Sequence, residues 1–274
     1  MIKLRFPYAS GTFYPSDKKE LENLINSFFD EIKDDEVLKI KEKINKVVGI
    51  ISPHAGYIYS GKTASYGYYF FDLLPPETTF VIFGPNHTGM GKIVSISKED
   101  WITPFGKVKN DAEVGETIRK NSKFAEFDEE AHYFEHSIEV QLPFLQKVVK
   151  DPKCVEVCIG MQTIEIVEDL ANSIKKINKN FCIISSSDFT HFESYESAKK
   201  KDEKAIEYIL DFDCEGFMEF AEKSSICGYA PIAILTKHAK DEKCKAVLLN
   251  YSSSGDTTKD YSSVVGYSSI LFYK

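Results

Sequence analysis

The sequence predicts an α/β chain of three layers, α/β/α, around a mostly parallel mixed sheet. Three observations carry this. Six runs have the length and β-branched or aromatic content of buried strands: KVVGIIS (46–52), TTFVIFG (78–84), CVEVCIG (154–160), FCIISSS (181–187), KAVLLNYS (245–252) and VVGYSSILFY (264–273). Between or around them lie segments of helical period near 17–33, 61–73, 111–121, 138–149, 165–178, 195–210, 213–222 and 229–240. No repeat, low-complexity tract or Gly/Ser linker breaks the alternation, so 1–274 reads as a single domain.

Strands separated by helices close as βαβ units, which cover both faces of a parallel sheet. The last strand is the candidate for an antiparallel neighbour, and KIVSISKEDWITPFGKV (92–108) reads as a small β excursion. Ser60 is placed to cap a helix opening at Gly61, whose free N–H groups would face an anionic ligand. Pro143 is tolerated only near a helix start, so that helix begins close to Ser137, with Ile138, Leu142, Leu145 and Val149 as its apolar stripe. Gly228 and Pro231 mark another helix start, just after Cys227.

Composition narrows the function. Hydrophobic residues at 43% and charged residues at 28% are an ordinary globular balance. The net charge is −8, with basic side chains dispersed among acids, which argues against a nucleic-acid surface. No run reaches the length of a membrane helix, and the N-terminus lacks a secretory apolar core. The six cysteines contain no C-x-x-C and are too sparse for a disulfide scaffold, so a reducing cytoplasm is expected.

Parallel sheets bind ligands beyond the carboxyl ends of their strands. Three strands exit into histidine-bearing loops: Ser52-Pro53-His54, Gly84-Pro85-Asn86-His87 and Ser187-Asp188-Phe189-Thr190-His191. Their convergence would make a metal or proton-transfer site, with Asp188, Glu135, His136 or a cysteine as further donors. A rival reading is H-x-x-E-H, a zinc-peptidase pattern, at His132-Tyr133-Phe134-Glu135-His136. It requires both histidines on one helix face, whereas the helix start near Ser137 leaves His132 in the preceding loop. Ser-His-Asp hydrolysis through Ser185, Ser186 or Ser187 with Asp188 and His191 is weaker, because no G-x-S-x-G elbow exists.

The blocks RFPYASGTFYP (5–15), PHAGY (53–57), GPNH (84–87), EHSIEVQLPF (135–144), SSDFTHF (186–192) and CGYAP (227–231) together resemble the Memo family along the whole chain. Memo proteins are similar in fold to the class III non-haem iron extradiol dioxygenases. The resemblance implies metal ligands at His54, His87 and Cys227, with Asp188 and His191 lining the same pocket. His191 would stand where the dioxygenases keep an acid–base histidine, and His136 falls in the E-H-S-I-E block. Iron (Fe2+) is the implied metal, with copper or zinc as alternatives. A thiolate in place of the dioxygenase carboxylate departs from the 2-His-1-carboxylate set, so catechol ring cleavage is implied by fold alone. Position before a helix start predicts a lowered thiol pKa for Cys227, while Cys154, Cys158 and Cys182 read as core.

The function expected is thus a metal-dependent redox enzyme, with His191, Asp188 and His136 as catalytic residues. The alternative is a non-catalytic module that uses the same pocket to bind a metal and a small anionic or aromatic group such as phosphotyrosine, with Tyr57, Tyr59 and Phe192 as candidate contacts. The resemblance also implies a partner in a radical-SAM pathway.

Overall fold

The computed structural model describes residues 3–33 and 35–274. The strands are β1 (Leu4–Arg5), β2 (Val47–Ser52), β3 (Thr79–Pro85), β4 (Val94–Ile96), β5 (Asp100–Thr103), β6 (Gly106–Asn110), β7 (Ala125–Phe127), β8 (Lys153–Ile159), β9 (Phe181–Ser186), β10 (His191–Glu193), β11 (Lys245–Ser253) and β12 (Val264–Tyr273). The helices are α1 (Lys18–Asp30), α2 (Asp35–Lys41), α3 (Tyr57–Tyr68), α4 (Ala112–Asn121), α5 (Gln141–Val148), α6 (Ile164–Ile174), α7 (Tyr195–Leu210), α8 (Cys214–Ala221), α9 (Tyr229–Asp241) and α10 (Gly255–Thr258). No helix among the described residues is long and apolar enough to cross a membrane.

At the centre of the sheet β8, β3, β9 and β2 lie side by side in parallel, and β12 closes antiparallel on β2. The excursion at 92–108 supplies β4 and the antiparallel pair β5–β6, with β6 joining the edge of β8. Alternation along the central strands decides the layers. Val81, Phe83, Val155, Val157 and Ile183 face α4, α6 and α9, while Phe80, Ile82, Cys154, Cys158 and Cys182 face α1, α3 and α5. Those three cysteines are core residues, as expected.

Two helices begin elsewhere than the pattern predicts. α3 opens at Tyr57, four residues before Gly61, because much of its buried surface is carried by small polar residues that periodicity does not count. Ser60 Oγ donates to the Ala55 carbonyl and caps nothing C-terminal to itself. Gly61 serves packing: a Cβ there would meet the Phe28 ring at 2.4 Å, so glycine lets α1 approach α3. The N–H of Tyr57, at the opening of the helix, is taken by the Phe13 carbonyl, so the anion site expected at this helix start does not form as drawn. α5 opens at Gln141 rather than near Ser137, with Pro143 in its first turn and residues 137–140 as a turn.

Register brings the exits level. Ser52 pairs with Ser186, Phe83 pairs with Ser185, and Pro85 pairs with Ile159. His54 and Asp188 each lie two residues past that paired edge, and His87 lies two past Pro85.

Candidate metal centre

The cluster at this edge is built from the strand ends outward. Asp188 Oδ1 accepts the backbone N–H of His54 at 2.8 Å and of Ala55 at 3.3 Å, tying the β2 exit to the β9 exit. Asp188 therefore shapes the backbone that carries His54. The Ser225 carbonyl holds the His191 ring, and Glu135 is the carboxylate beside His136. Burial pushes the Asp188 carboxyl up to about 6 against the pull of those N–H donors.

Each imidazole is oriented by a neighbour. His54 Nδ1 lies 2.9 Å from Ser186 Oγ. The Ser186 hydroxyl proton goes to the Ser137 carbonyl, and Gln141 Nε2 donates to the same oxygen, so Ser186 accepts from His54. That puts the proton on Nδ1 and leaves Nε2 facing the cluster. His87 Nδ1 lies 2.9 Å from the Glu135 carboxylate and donates to it, with the same result. Partial burial alone would lower the His87 pKa, but the hydrogen bond and charge of Glu135 outweigh it and raise it. Glu135 also accepts the backbone N–H groups of His87, His136 and Ser137. Burial would raise its own pKa, yet these donors and His87 hold it at about 2.

The rings of His87 and His136 stack at 4.7 Å, His54 stands edge-on to both, and Phe13 covers the other face of His136 at 4.3 Å. One ligand nitrogen from each of His54, His87 and His136 lies within 4.8 Å of the others, a possible three-histidine metal site. His54 is buried, His136 partly buried and His87 exposed, so the cluster opens on the His87 side. Burial holds His54 well below its ordinary value and His136 at about 4, keeping both neutral near pH 7.

Cys227 joins from the loop before α9. Its sulfur stands 3.2 Å from His54 Nε2 and accepts the Asp188 N–H at 3.2 Å. The expected lowering of its pKa does not occur: burial, and then the Asp188 charge, push the thiol up. α9 starts two residues later, at Tyr229, so its dipole does not decide the matter. His191, on β10, has Nδ1 2.8 Å from the Ser225 carbonyl. A carbonyl only accepts, so Nδ1 carries a proton and donates it there.

The rival readings do not assemble. His132 lies in a one-turn 3-10 helix at 130–132, fully buried against the Trp101 ring at 5.5 Å, and is absent from the cluster. The backbone from 132 to 135 is a turn clamped by Arg5, which donates to the carbonyls of His132 and Glu135 and pairs with Glu139. No helix face carries His132 and His136 together. Ser185 donates to Pro231, Ser186 to Ser137 and Ser187 to the Asp188 carbonyl, so none addresses His191.

Sequence reasoning missed Phe13, Gln141, Ser137 and Ser225 as parts of this site. Phe13 and Ser137 sit inside motif blocks, but nothing in their spacing shows contact across 123 or 49 residues with His136 or Ser186. Tyr57, one of the aromatics considered for ligand contact, is a core residue whose hydroxyl donates to the Val140 carbonyl. Cavities of about 500 and 670 Å³ lie elsewhere, lined by residues such as Glu165 and Met218 or Asn110 and Phe127, and touch none of the three histidines. The convergence of donors marks the site better than cavity size does.

A family model described as Memo-like protein matches residues 5–271. The chain is 42% identical to a MEMO1 family protein of Methanosarcina mazei over 98% of its length and 99% of the relative. It is also 42% identical to one of Desulfurococcus amylolyticus, over 99% and 100%. One of Methanosarcina barkeri is 41% identical over 98% and 99%. With a match of this extent, on a strand-end cluster built from the same motif blocks, the chain belongs to the Memo-like protein family.

Proposed function

We propose that this protein binds iron or copper through His54, His87, His136 and Cys227 and is a metal-dependent redox enzyme. The supporting observation is that His54 and His87 each commit Nδ1 to a fixed acceptor, Ser186 or Glu135, so that the other nitrogen of each ring is left to the cluster. Cys227 is added to the ligands on its contact with His54 alone, since the donors that all lie within 4.8 Å of one another are those of His54, His87 and His136. Donors on one ion at bonds of about 2.0 to 2.3 Å are separated by roughly 3 to 3.7 Å, and its sulfur is 3.2 Å from His54 Nε2. Imidazoles with one thiolate suit iron, copper(I) or zinc far better than magnesium or calcium. His136, read from sequence as a catalytic residue, is reassigned here to the ligands.

A bound iron or copper ion would supply Lewis acidity and one-electron chemistry. The chain's own residues supply the rest. Glu135 holds His87 by ring and backbone, and Asp188 holds the backbone of His54. His191, its Nδ1 held by the Ser225 carbonyl, has Nε2 left to exchange a proton with a bound substrate. Cys227, whose thiol contacts His54 Nε2 and the Asp188 carbonyl, would give up its proton to act as a ligand.

The test is metal analysis of anaerobically purified protein beside His54→Ala, His87→Ala, His136→Ala and Cys227→Ser. Stoichiometric metal in the wild type and its loss in the variants is the expected result. Retention in any variant removes that residue from the ligand set. Oxygen uptake by the iron- or copper-loaded protein with a panel of reducing aromatic substrates then separates turnover from a binding module: silence across the panel, with metal still bound, refutes the enzyme.

A further inference from the structure

We propose that Gln162 is a positioning residue for the metal centre: its side-chain amide holds the peptide that carries Cys227 and thereby sets where the sulfur stands relative to His54 Nε2. This rests on the metal-binding reading above, with Cys227 among the ligands. Four parallel strands end at this edge of the sheet, and the loops after β2, β3 and β9 carry His54, His87 and Asp188. The fourth, β8, runs into Gly160-Met161-Gln162, and Gln162 reaches the Cys227 segment. Its Nε2 donates to the Cys227 carbonyl at 2.7 Å, and its Oε1 accepts the Ala230 N–H at 2.8 Å. One half-buried side chain thus grips the peptide on both sides of Gly228.

Local sequence explains why this grip comes from another strand. Gly228 stands just before α9, where a capping side chain would normally sit, and it supplies none. Nor could a larger residue replace it: a Cβ there would meet the Ser186 carbonyl oxygen at 2.4 Å and Ser187 Cβ at 2.7 Å. That close approach pins the segment to the β9 exit, with the Gly228 N–H donating to Ser187 Oγ and the Cys227 N–H to the Asp188 carbonyl. Two groups on the other side are still left over. The Ala230 N–H lies in the first turn of α9, which has no intrahelical acceptor for it. The Cys227 carbonyl would meet the N–H four residues on, but that residue is Pro231, which has none. A glutamine amide offers one donor face and one acceptor, and Gln162 spends them on these two groups. Cys227 is therefore held through its N–H by Asp188 and through its carbonyl by Gln162, which leaves its sulfur 3.2 Å from His54 Nε2.

The test uses the cobalt(II)-loaded full chain, whose thiolate-to-metal charge-transfer band reports a bond between Cys227 and the ion. Gln162→Leu removes both contacts. Gln162→Glu keeps an acceptor for the Ala230 N–H and loses the donor to the Cys227 carbonyl, so it holds the fold closer to wild type. Both variants are expected to weaken the charge-transfer band, and Gln162→Leu to weaken cobalt affinity about 10-fold or more in competition with a chromophoric chelator. In a Cys227→Ser background the same leucine substitution should change affinity by less than about 2-fold, because the group it positions is gone. A band equal to wild type in either folded variant, or an equal affinity loss in both backgrounds, overturns the proposal, since Gln162 would then act only on the fold. A wild type that binds cobalt without a thiolate band removes Cys227 from the ligands and takes this inference with it. A wild-type band that the variants keep refutes this inference alone, so the two failures are distinguishable.

Discussion

Replacing Glu135 by glutamine tests whether the cluster is preorganised by one carboxylate. Glu135 is fully buried and accepts four hydrogen bonds, from His87 N and Nδ1, His136 N and Ser137 N. Three of these go to Oε1 and one to Oε2. An amide keeps only one acceptor oxygen, so the substituted side chain would orient it toward the three donors and turn its NH2 toward the His87 N–H. One donor is then unsatisfied, at about 1–3 kcal/mol, and three charge-assisted bonds become neutral, at roughly 1 kcal/mol each. The metal-free protein should lose about 4 to 6 kcal/mol of stability, read from urea midpoints and slopes. His87 also loses its carboxylate partner, and such losses typically weaken metal affinity about 10- to 100-fold. Competition against a chromophoric chelator measures this on the folded fraction. A metal affinity within about 2-fold of wild type in a folded Glu135→Gln protein would refute the claim that Glu135 organises the centre.

Other outcomes follow from the same contacts. His132→Ala should leave metal content unchanged while costing about 2 to 4 kcal/mol of stability for the cavity against Trp101; metal loss from a folded variant would restore the H-x-x-E-H pair. Glu156 gives a pH signature. It is fully buried on β8, Asn110 donates to its Oε2, and both its Oε1 and Asn110 Oδ1 lack partners. A buried carboxylate oxygen without a partner favours the protonated carboxyl, and burial pushes its pKa up from 4.5 to about 8. Between those values the folded state holds a proton the unfolded chain has released, so stability is fully present below about pH 4.5, falls by up to about 1.4 kcal/mol per pH unit as pH rises, and levels off above about 8. Glu156→Gln should flatten that slope in denaturation series across pH; an identical slope in both proteins would mean the carboxyl is ionised in the fold.

The structure also explains how the N-terminal segment reaches the site. Glu139 accepts from Arg5, from the backbone of Tyr8 and Ala9, and from the Tyr14 hydroxyl. Residues 5–14 are thereby bound to the turn that carries His136, which sets Phe13 on its ring. A buried ion pair of this kind stabilises little on balance, but removing one partner is costly. Its consequence here is positional.

Strand and helix alternation, the β excursion, the antiparallel last strand and the strand-end location of His54, His87 and Asp188 were legible in the sequence. Each follows from local periodicity and from the rule that parallel strands release their loops on one edge. Tertiary structure alone decided what those loops touch. His136 meets His87 because Glu135 accepts from both segments across 48 residues. The Cys227 thiol rises where proximity to a helix start predicted a fall, because burial and Asp188 act on it and neither is written in its neighbours. H-x-x-E-H carries helical spacing, yet Arg5, 127 residues before His132, clamps it as a turn. Periodicity reports which face of an element is apolar. Which donors meet, and which charges are screened, depends on contacts between segments far apart in the chain, formed only when the sheet sets its register.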